Sequence, residues 1–339
     1  MKVLFIGDPH LKINRFDLAL QFLDWVTKLI EKEKPQLVVN LGDTFDTHAV
    51  LRSEVTGEFM KHVYATIKTG AEYVYLIGNH DMYKPNDAKY HAMMSYKDKI
   101  QGLTVIDTIR ELHGMTFVPY QVNPDNFPKH TLPICVAHQT FIGADYGPIA
   151  AKEGVDPKSI AGAEIIISGH IHKRSTLDEG RIRYYGSPFS QSVGDVDQVK
   201  GITIFDTVTY GEKFIETPLP TWRRIRGMVS ELCSIQVIHE EILEKIPGSK
   251  DHWVIELEGP KAEVVGYLDS AEYKEAIGKV DVKVKTKYTD KEKKKVSIEA
   301  KSMDHIISEF VTKVYNGTID KNILAETAKT ILNESRLVK

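Results

Sequence analysis

The sequence predicts an α/β fold with a layered core whose faces are covered. The 339 residues are 42% hydrophobic and 27% charged, a composition typical of a globular protein, and the length suggests about two or three domains. Short apolar runs alternate with amphipathic patterns over the first 110 residues, which indicates strands and helices in turn. From about residue 103 onwards the pattern changes to strands with little helix between them.

The first five elements define the strand–helix–strand order. We predict a buried strand in "KVLFIGD" (2–8), an amphipathic helix over 15–34, a strand over 35–43, a helix over 51–68 and a strand over 72–81. Near-continuous apolar strands separated by helices are typical of parallel sheets that are covered on both faces.

Six further strands complete the first domain, at 103–107, 115–120, 132–138, 164–170, 181–187 and 201–207. The proline-rich stretch "TPLPTWRR" (217–224) then reads as a connector. We therefore expect a first domain over residues 1–221.

The remainder of the chain predicts a small module and a helical tail. Strands at 252–259 and 280–290, with a short helical stretch near 263–277 between them, indicate an α+β domain over 222–298. Two apolar stripes separated by "NGT" (316–318) predict a helical hairpin over 299–339.

Cysteine content and hydropathy bear on the location of the protein. The two cysteines, Cys135 and Cys233, imply no disulfide framework, which favours a reducing compartment. The N-terminus lacks the apolar run of a secretory signal, and no run approaches the ~20 apolar residues that span a bilayer. We expect a cytoplasmic protein without a membrane partner; the net charge of -3 neither requires nor excludes a nucleic-acid partner.

Five strands end in residues of the kinds that bind metal ions. The stretches are "FIGDPH" (Asp8, His10), "NLGDTFD" (Asp43, Asp46), "LIGNHD" (Asn79, His80, Asp81), "CVAH" (His138) and "ISGHIH" (His170, His172). Because residues two apart in a strand share a face, we expect Asp8 with His10, and His170 with His172, to form two same-face pairs. Each stretch alone could be an ordinary turn, but five in this order favour one shared site at the carboxyl edge of a sheet.

The predicted donor set combines carboxylates, an amide oxygen and imidazoles without sulfur. Such donors suit Mn²⁺, Fe or Zn²⁺ in a reactive site better than a structural zinc or calcium site. Seven or eight ligands exceed the needs of one ion, and a carboxylate such as Asp43 can bridge two ions ~3.5–4 Å apart, as in phosphoryl-transfer sites.

The series GDxH, GDxxD, GNHD, a strand-terminal histidine and GHxH resembles the calcineurin-like metallophosphoesterase superfamily over residues 3–206. The resemblance implies a layered β-sandwich flanked by helices. It also implies that one metal is held by Asp8, His10, Asp43 and His172, and the other by Asp43, Asn79, His138 and His170. It further implies that His80 acts on the substrate as the catalytic residue without binding metal.

Two details are similar to one branch of that superfamily, the DNA double-strand-break-repair nucleases whose bacterial member is SbcD. "GDTFDTH" and "GNHDMY" differ from the protein-phosphatase pattern, and "YYGSP" (184–188) also looks like the nuclease branch. The short chain resembles phage-encoded members. Archaeal and eukaryotic members have a histidine in place of Asp46, so no role of that histidine is carried over.

The resemblance implies a DNA exonuclease or endonuclease with two divalent ions, Mn²⁺ or alternatively Mg²⁺. Because no Walker-type phosphate loop occurs, ATP hydrolysis in such a recombination and repair complex would fall to an SbcC-type coiled-coil ATPase. The tail over 302–339 either docks that ATPase or folds back on the small module. The resemblance further implies a homodimer of nuclease subunits.

Two basic stretches, 279–295 and 221–227, are candidate contacts to DNA or simply solvated surface. Two alternative functions also stay open. The first is a small-molecule or cyclic-nucleotide phosphodiesterase on the same fold, and the second is a catalytically silent scaffold.

Overall fold

Strands and helices alternate along the first hundred residues of the computed structural model. The structure describes residues 1–46, 48, 51–84, 87–147, 149–229, 232–278, 280, 282–289 and 320–337. Within them the strands are β1 (Lys2–Ile6), β2 (Leu37–Asn40), β3 (Glu72–Leu76), β4 (Met82–Lys84), β5 (Asp87–His91), β6 (Leu103–Ile106), β7 (Arg110–Leu112), β8 (Met115–Val118), β9 (Ile134–His138), β10 (Ile165–Gly169), β11 (Ser175–Leu177), β12 (Ile182–Tyr184), β13 (Gly201–Asp206), β14 (Glu212–Glu216), β15 (Trp222–Met228), β16 (His252–Gly259) and β17 (Val282–Tyr288). The helices are α1 (Phe16–Glu33), α2 (Ser53–Lys68), α3 (Leu232–Lys245), α4 (Lys261–Asp269), α5 (Ala271–Ile277) and α6 (Lys321–Leu337).

Two six-stranded sheets form most of the first 216 residues. Their strand orders are β14-β13-β1-β2-β3-β6 and β11-β12-β10-β9-β8-β7. Strands β1, β2, β3 and β6 are parallel to one another, and so are β8, β9, β10 and β12. Parallel strands bring their carboxyl ends to one edge of a sheet, so the loops after them can meet there.

The core has an inner layer between the sheets and an outer layer on each side. Phe5 of the first sheet and Ile167 of the second belong to the same buried cluster, so the sheets pack face to face. Helix α1 covers the other face of the first sheet through residues such as Phe22, and α2 packs beside it. The outer face of the second sheet packs instead against the irregular segment that follows β9, through Phe141 and Val155. The predicted α/β sandwich is confirmed, with its helices on one side.

A smaller parallel sheet follows, in the order β15-β16-β17. Helix α3 connects β15 to β16, and α4 and α5 connect β16 to β17. One face packs on these helices through Ile225 and Ile255, which share a buried cluster with Ile238 and Ile242 of α3. Helix α3 was not predicted, although its isoleucines recur at helical spacing.

The stretch 217–224 is only in part a connector, because β15 begins at Trp222. The chain forms two compact units, Met1–Tyr288 and Thr289–Lys339. In the second unit, α6 corresponds to the second helix of the predicted tail, whereas the first helix and the "NGT" turn lie outside the described residues. Among the helices that the structure describes, none is long and apolar enough to cross a membrane.

Candidate metal centre

All the predicted site residues lie at or just after the carboxyl ends of parallel strands. Asp8 and His10 follow β1, Asp43 follows β2, Asn79 and His80 follow β3, His138 ends β9, and His170 and His172 follow β10. The expectation that strand alternation pairs the ligands was wrong, because β1 ends at Ile6 and β10 at Gly169. Apart from that of His138, these side chains are therefore oriented by loops.

The loop backbone is strained at four of these residues. The φ angles of Asp8, His10, Asp43 and His170 are 28°, 42°, 51° and 80°, in a region that side chains other than glycine rarely adopt. Such conformations cost roughly 1–3 kcal/mol each and persist where surrounding contacts impose them, most often at functional sites.

A first cluster contains Asp8, His10 and His172, whose candidate ligand atoms lie within 4.8 Å of one another. The Nε2 atoms of the two histidines are 3.0 Å apart. Asp8 Oδ2 and His10 Nδ1 are buried without a hydrogen-bond partner among the described residues. Buried polar atoms are normally satisfied, so this arrangement is suited to a bound cation.

A second cluster contains Asp43, His138 and His170, again with ligand atoms within 4.8 Å. Asn79 joins it, because its Oδ1 atom lies 3.1 Å from His138 Nε2 and 2.7 Å from His170 Nδ1. His138 Nδ1 donates to the carbonyl oxygen of Leu41 at 2.7 Å. This bond orients the ring and directs Nε2 towards the cluster, as is usual for a metal-binding histidine.

Asp43 belongs to the second cluster and also reaches the first. Its Oδ2 atom lies 3.2 Å from His138 Nε2 and 3.8 Å from His10 Nε2. Its Oδ1 atom accepts a hydrogen bond from the backbone N–H of His80 at 2.7 Å. Asp43 therefore lies between the two clusters.

Burial and mutual charge determine the protonation of the second cluster. Burial raises the pKa of Asp43, but the charge of His138 and its hydrogen bond outweigh burial and bring the pKa below its ordinary value. Burial lowers the pKa of His138, whereas Asp43 raises it to about 9. Burial, reinforced by His138, lowers the pKa of His170 to about 3. His170 is thus neutral at pH 7, which is the form that binds metal.

His80 lies beside the first cluster with one ring nitrogen already engaged. Its Nδ1 atom donates to the carbonyl oxygen of Asp46 at 3.1 Å, and its ring packs edge-on against His10 with centroids 4.7 Å apart. The Nε2 atom can accept a hydrogen bond when the ring is neutral and donate one when it is protonated. The ring of His48 stacks on the ring of His80, with centroids 4.6 Å apart.

Asp81 ties two ligand loops together. The strand β4 directly follows Asp81, so this residue does not cap a helix. The buried carboxylate accepts hydrogen bonds from the backbone N–H groups of Asp43, Thr44 and Gly78 and from Tyr75 Oη, at 2.8–3.1 Å. It therefore orients the loop that carries Asp43.

Lys200 supports the loop that carries His172. Its side chain is 1% exposed, and its ammonium group donates to the carbonyl oxygen of His172 at 2.7 Å and to Asp195 Oδ1 at 2.8 Å. Ser187 and Gln198 accept two further hydrogen bonds, at 2.8 and 2.9 Å. Burial lowers the pKa of Lys200, and the charge of Asp195 opposes this effect. No sequence motif marks this lysine, because its role depends on contacts between distant segments.

Taken together, the donors fit divalent ions. Carboxylate, amide and imidazole groups without sulfur suit Mn²⁺ and its neighbours in the first transition row. Every ligand that the resemblance implies lies at this one edge of the sheets.

Comparison with known proteins finds similarity to proteins named as phosphoesterases and as nuclease subunits. The family model of the calcineurin-like phosphoesterases matches residues 1–174. A putative phosphoesterase 078R of Invertebrate iridescent virus 3 is 28% identical over 57% of this chain, and exonuclease subunit 1 of Enterobacteria phage T4 is 26% identical over 66%. The SbcD subunit of the nuclease SbcCD of Staphylococcus epidermidis is 23% identical over 72%. The matched regions span 59%, 70% and 75% of these three relatives.

Proposed function

Because the chain belongs to the calcineurin-like phosphoesterase family, we propose that it is a metal-dependent nuclease that hydrolyses DNA phosphodiesters. The observation that carries the proposal is the pair of adjoining ligand clusters with Asp43 between them. Relatives named as an exonuclease subunit and as the SbcD subunit of a nuclease support DNA as the substrate. They also support a phage-encoded, SbcD-type protein.

We assign the ligands to two divalent ions, with Mn²⁺ as the proposed metal and Mg²⁺ as the alternative. Asp8, His10, Asp43 and His172 would hold one ion, and Asp43, Asn79, His138 and His170 the other. When bound, such ions neutralise charge on a phosphate and lower the pKa of water enough for attack at neutral pH.

The residues of the chain orient the reaction around that centre. His80 is the proposed catalytic residue, because its Nε2 atom is left for the phosphate or the departing sugar oxygen while Asp46 fixes the ring. A hydrogen bond or proton supplied by a positioned histidine is worth about 10²–10⁴-fold in rate. Asp81 and Lys200 act as positioning residues through the loops of Asp43 and His172.

The open face of the small sheet is the proposed contact to the DNA backbone. Five cations from β15 and β17 share this face with two carboxylates from β16, and the set is Arg224, Arg226, Lys283, Lys285, Lys287, Glu256 and Glu258. Ion pairs neutralise only part of it, for example Lys287 with Glu258 at 2.8 Å. The excess positive charge suits sequence-independent phosphate contacts.

We propose the division into a nuclease domain (1–221), a capping and DNA-binding module (222–298) and a tail (299–339). The tail would dock a coiled-coil ATPase of the SbcC type, and the nuclease subunits would form a homodimer in an ATP-driven recombination and repair complex. Relatives named as subunits support such an assembly. The proposed location is the cytoplasm, that of the host if the gene is viral.

The test compares two substrates. Metal-stripped protein, resupplied with Mn²⁺ or Mg²⁺, is incubated with end-labelled linear duplex DNA and with bis(p-nitrophenyl) phosphate. Degradation of the duplex only when metal is present supports the proposal. Turnover of the small diester alone favours a small-molecule phosphodiesterase, and inactivity on both with metal bound favours a silent scaffold.

A further inference from the structure

A groove of about 670 Å³ lies next to the second ligand cluster, within the range of small-molecule sites, ~300–1,000 Å³. Its walls include Tyr120, Tyr146 and Ile149. None of these residues belongs to a predicted motif, and none serves the chemistry described above.

The groove borders the second cluster through Tyr120. The ring of Tyr120 stacks on the ring of His170 with centroids 5.6 Å apart and planes inclined by 30°. Gln139 and Thr140, which also line the groove, directly follow His138 in the chain. The Tyr120 end of the groove is therefore the part nearest to a phosphate held at the metal centre.

The wall around Tyr146 is built by a hydrogen-bonded loop. Thr140 Oγ1 and Tyr146 Oη share a hydrogen bond at 2.9 Å, and the N–H of Tyr146 donates to the carbonyl oxygen of Ile149 at 3.2 Å. Yet Tyr146 remains 50% exposed and Ile149 65% exposed. Large apolar groups held in place but open to solvent are typical of a binding surface.

The charge of the lining indicates what the groove accepts. Lys152 and Glu153 contribute one charge of each sign, and the other polar side chains of the lining, those of Tyr120, Gln139, Thr140 and Tyr146, are uncharged. A balanced lining does not suit a phosphate. It suits a flat, uncharged, partly polar ring that stacks on tyrosine.

We propose that this groove binds one nucleobase, that of a nucleotide adjoining the scissile phosphate. The inference rests on the proposed function, since it takes the metal centre to hold the phosphodiester. The base leaves the stack of its own strand and regains stacking against Tyr146, an interaction that tolerates any base because every base has a π face.

Dinucleotides with a single phosphodiester test the proposal, because one phosphate fixes the register. Dissociation constants are measured by calorimetry for thymidylyl-thymidine and for two analogues in which one base or the other is missing. Ca²⁺ replaces Mn²⁺ so that the bond stays intact. The chains are wild type, Tyr146→Ala, Tyr146→Phe and, as a control with similar exposure on α2, Tyr64→Ala.

We expect removal of one particular base to weaken binding to the wild type by roughly fivefold to tenfold. Tyr146→Ala weakens binding of the intact dinucleotide by a similar factor and shows no further loss when that base is missing. Tyr146→Phe and Tyr64→Ala stay within about twofold of the wild type. The inference is overturned if removal of neither base weakens binding to the wild type. It is also overturned if removal of the base weakens binding to Tyr146→Ala as much as it weakens binding to the wild type.

The binding measurement and the cleavage assay can fail separately, so failure of the groove proposal is distinguishable from failure of the nuclease proposal. Base recognition without cleavage of duplex DNA in Mn²⁺ supports the groove and contradicts the nuclease proposal. Cleavage of DNA without base recognition supports the nuclease proposal and overturns the groove.

Discussion

Replacing Lys200 by methionine tests whether a buried ion pair supports the metal centre. The substitution keeps a long apolar side chain but removes the charge and the four hydrogen bonds of the ammonium group, one of them to the carbonyl oxygen of His172. Asp195, 6% exposed, is left without its cation.

The magnitude follows from that stranded carboxylate. Removing one partner of a buried ion pair costs about 3–5 kcal/mol, because the other charge stays buried. Asp195 Oδ2 still accepts hydrogen bonds from the backbone N–H groups of Gln191 and Ser192. We therefore expect Lys200→Met to lower the free energy of unfolding by about 3 kcal/mol. The double variant Lys200→Met/Asp195→Asn removes the stranded charge and should recover at least about 1 kcal/mol.

Urea denaturation followed by circular dichroism measures these free energies, and calorimetry measures the affinity for Mn²⁺. Lys28→Met is the matched control, because Lys28 pairs with Asp24 on an exposed helix surface and should cost less than about 1 kcal/mol. We expect Mn²⁺ to bind Lys200→Met roughly tenfold more weakly, since the loop of His172 loses a support. An unfolding free energy within about 1 kcal/mol of the wild type, or an unchanged Mn²⁺ affinity, would refute the reasoning.

Two further predictions concern regions away from the metal centre. Burial lowers the pKa of His62 from 6.5 to about 4, so below pH 6.5 the unfolded chain binds a proton that the folded protein does not, and the free energy of unfolding falls until the pH reaches about 4. Between pH 7.5 and 4.5, urea denaturation should therefore show the wild type losing about 2.5 kcal/mol more than His62→Leu; equal losses contradict this. Replacing Lys283, Lys285 and Lys287 by alanine should reduce the salt dependence of DNA affinity, measured by fluorescence anisotropy, by up to about 2.7 in the log–log slope. An unchanged slope would exclude this face from the DNA contact.

Most of the first half of the fold could be predicted from local pattern. The helix predicted over 15–34 is α1 (Phe16–Glu33), because its apolar stripe is continuous and Lys34 ends it in a left-handed conformation. Helix α3 also has apolar residues at helical spacing, Ile238 and Ile242, but it was not predicted from the sequence. The short hairpin of β4 and β5 has no continuous apolar stripe, so the sequence does not predict the pairing of its strands.

That these residues meet at one edge of the sheets could be predicted, but their local geometry could not. Side-chain type and order indicated a metal centre, whereas the left-handed backbone of Asp8 and His170 is imposed by surrounding loops. Asp81 orients Asp43 across a separation of 38 residues, and Lys200 supports His172 across 28. Such roles depend on which loops approach each other, and no local pattern records that.

The central claim is tested most directly by measuring bound metal and DNA cleavage on the same preparations of the wild type and His80→Ala. The exposed pair of His113 with Glu72 makes His113→Ala a matched control. The wild type and the control should bind two Mn²⁺ ions and cleave linear duplex DNA. His80→Ala should also bind two ions but cleave about 10²–10⁴-fold more slowly. A wild type that binds fewer than two ions, or a His80→Ala variant that cleaves at the wild-type rate or loses metal, would contradict the account.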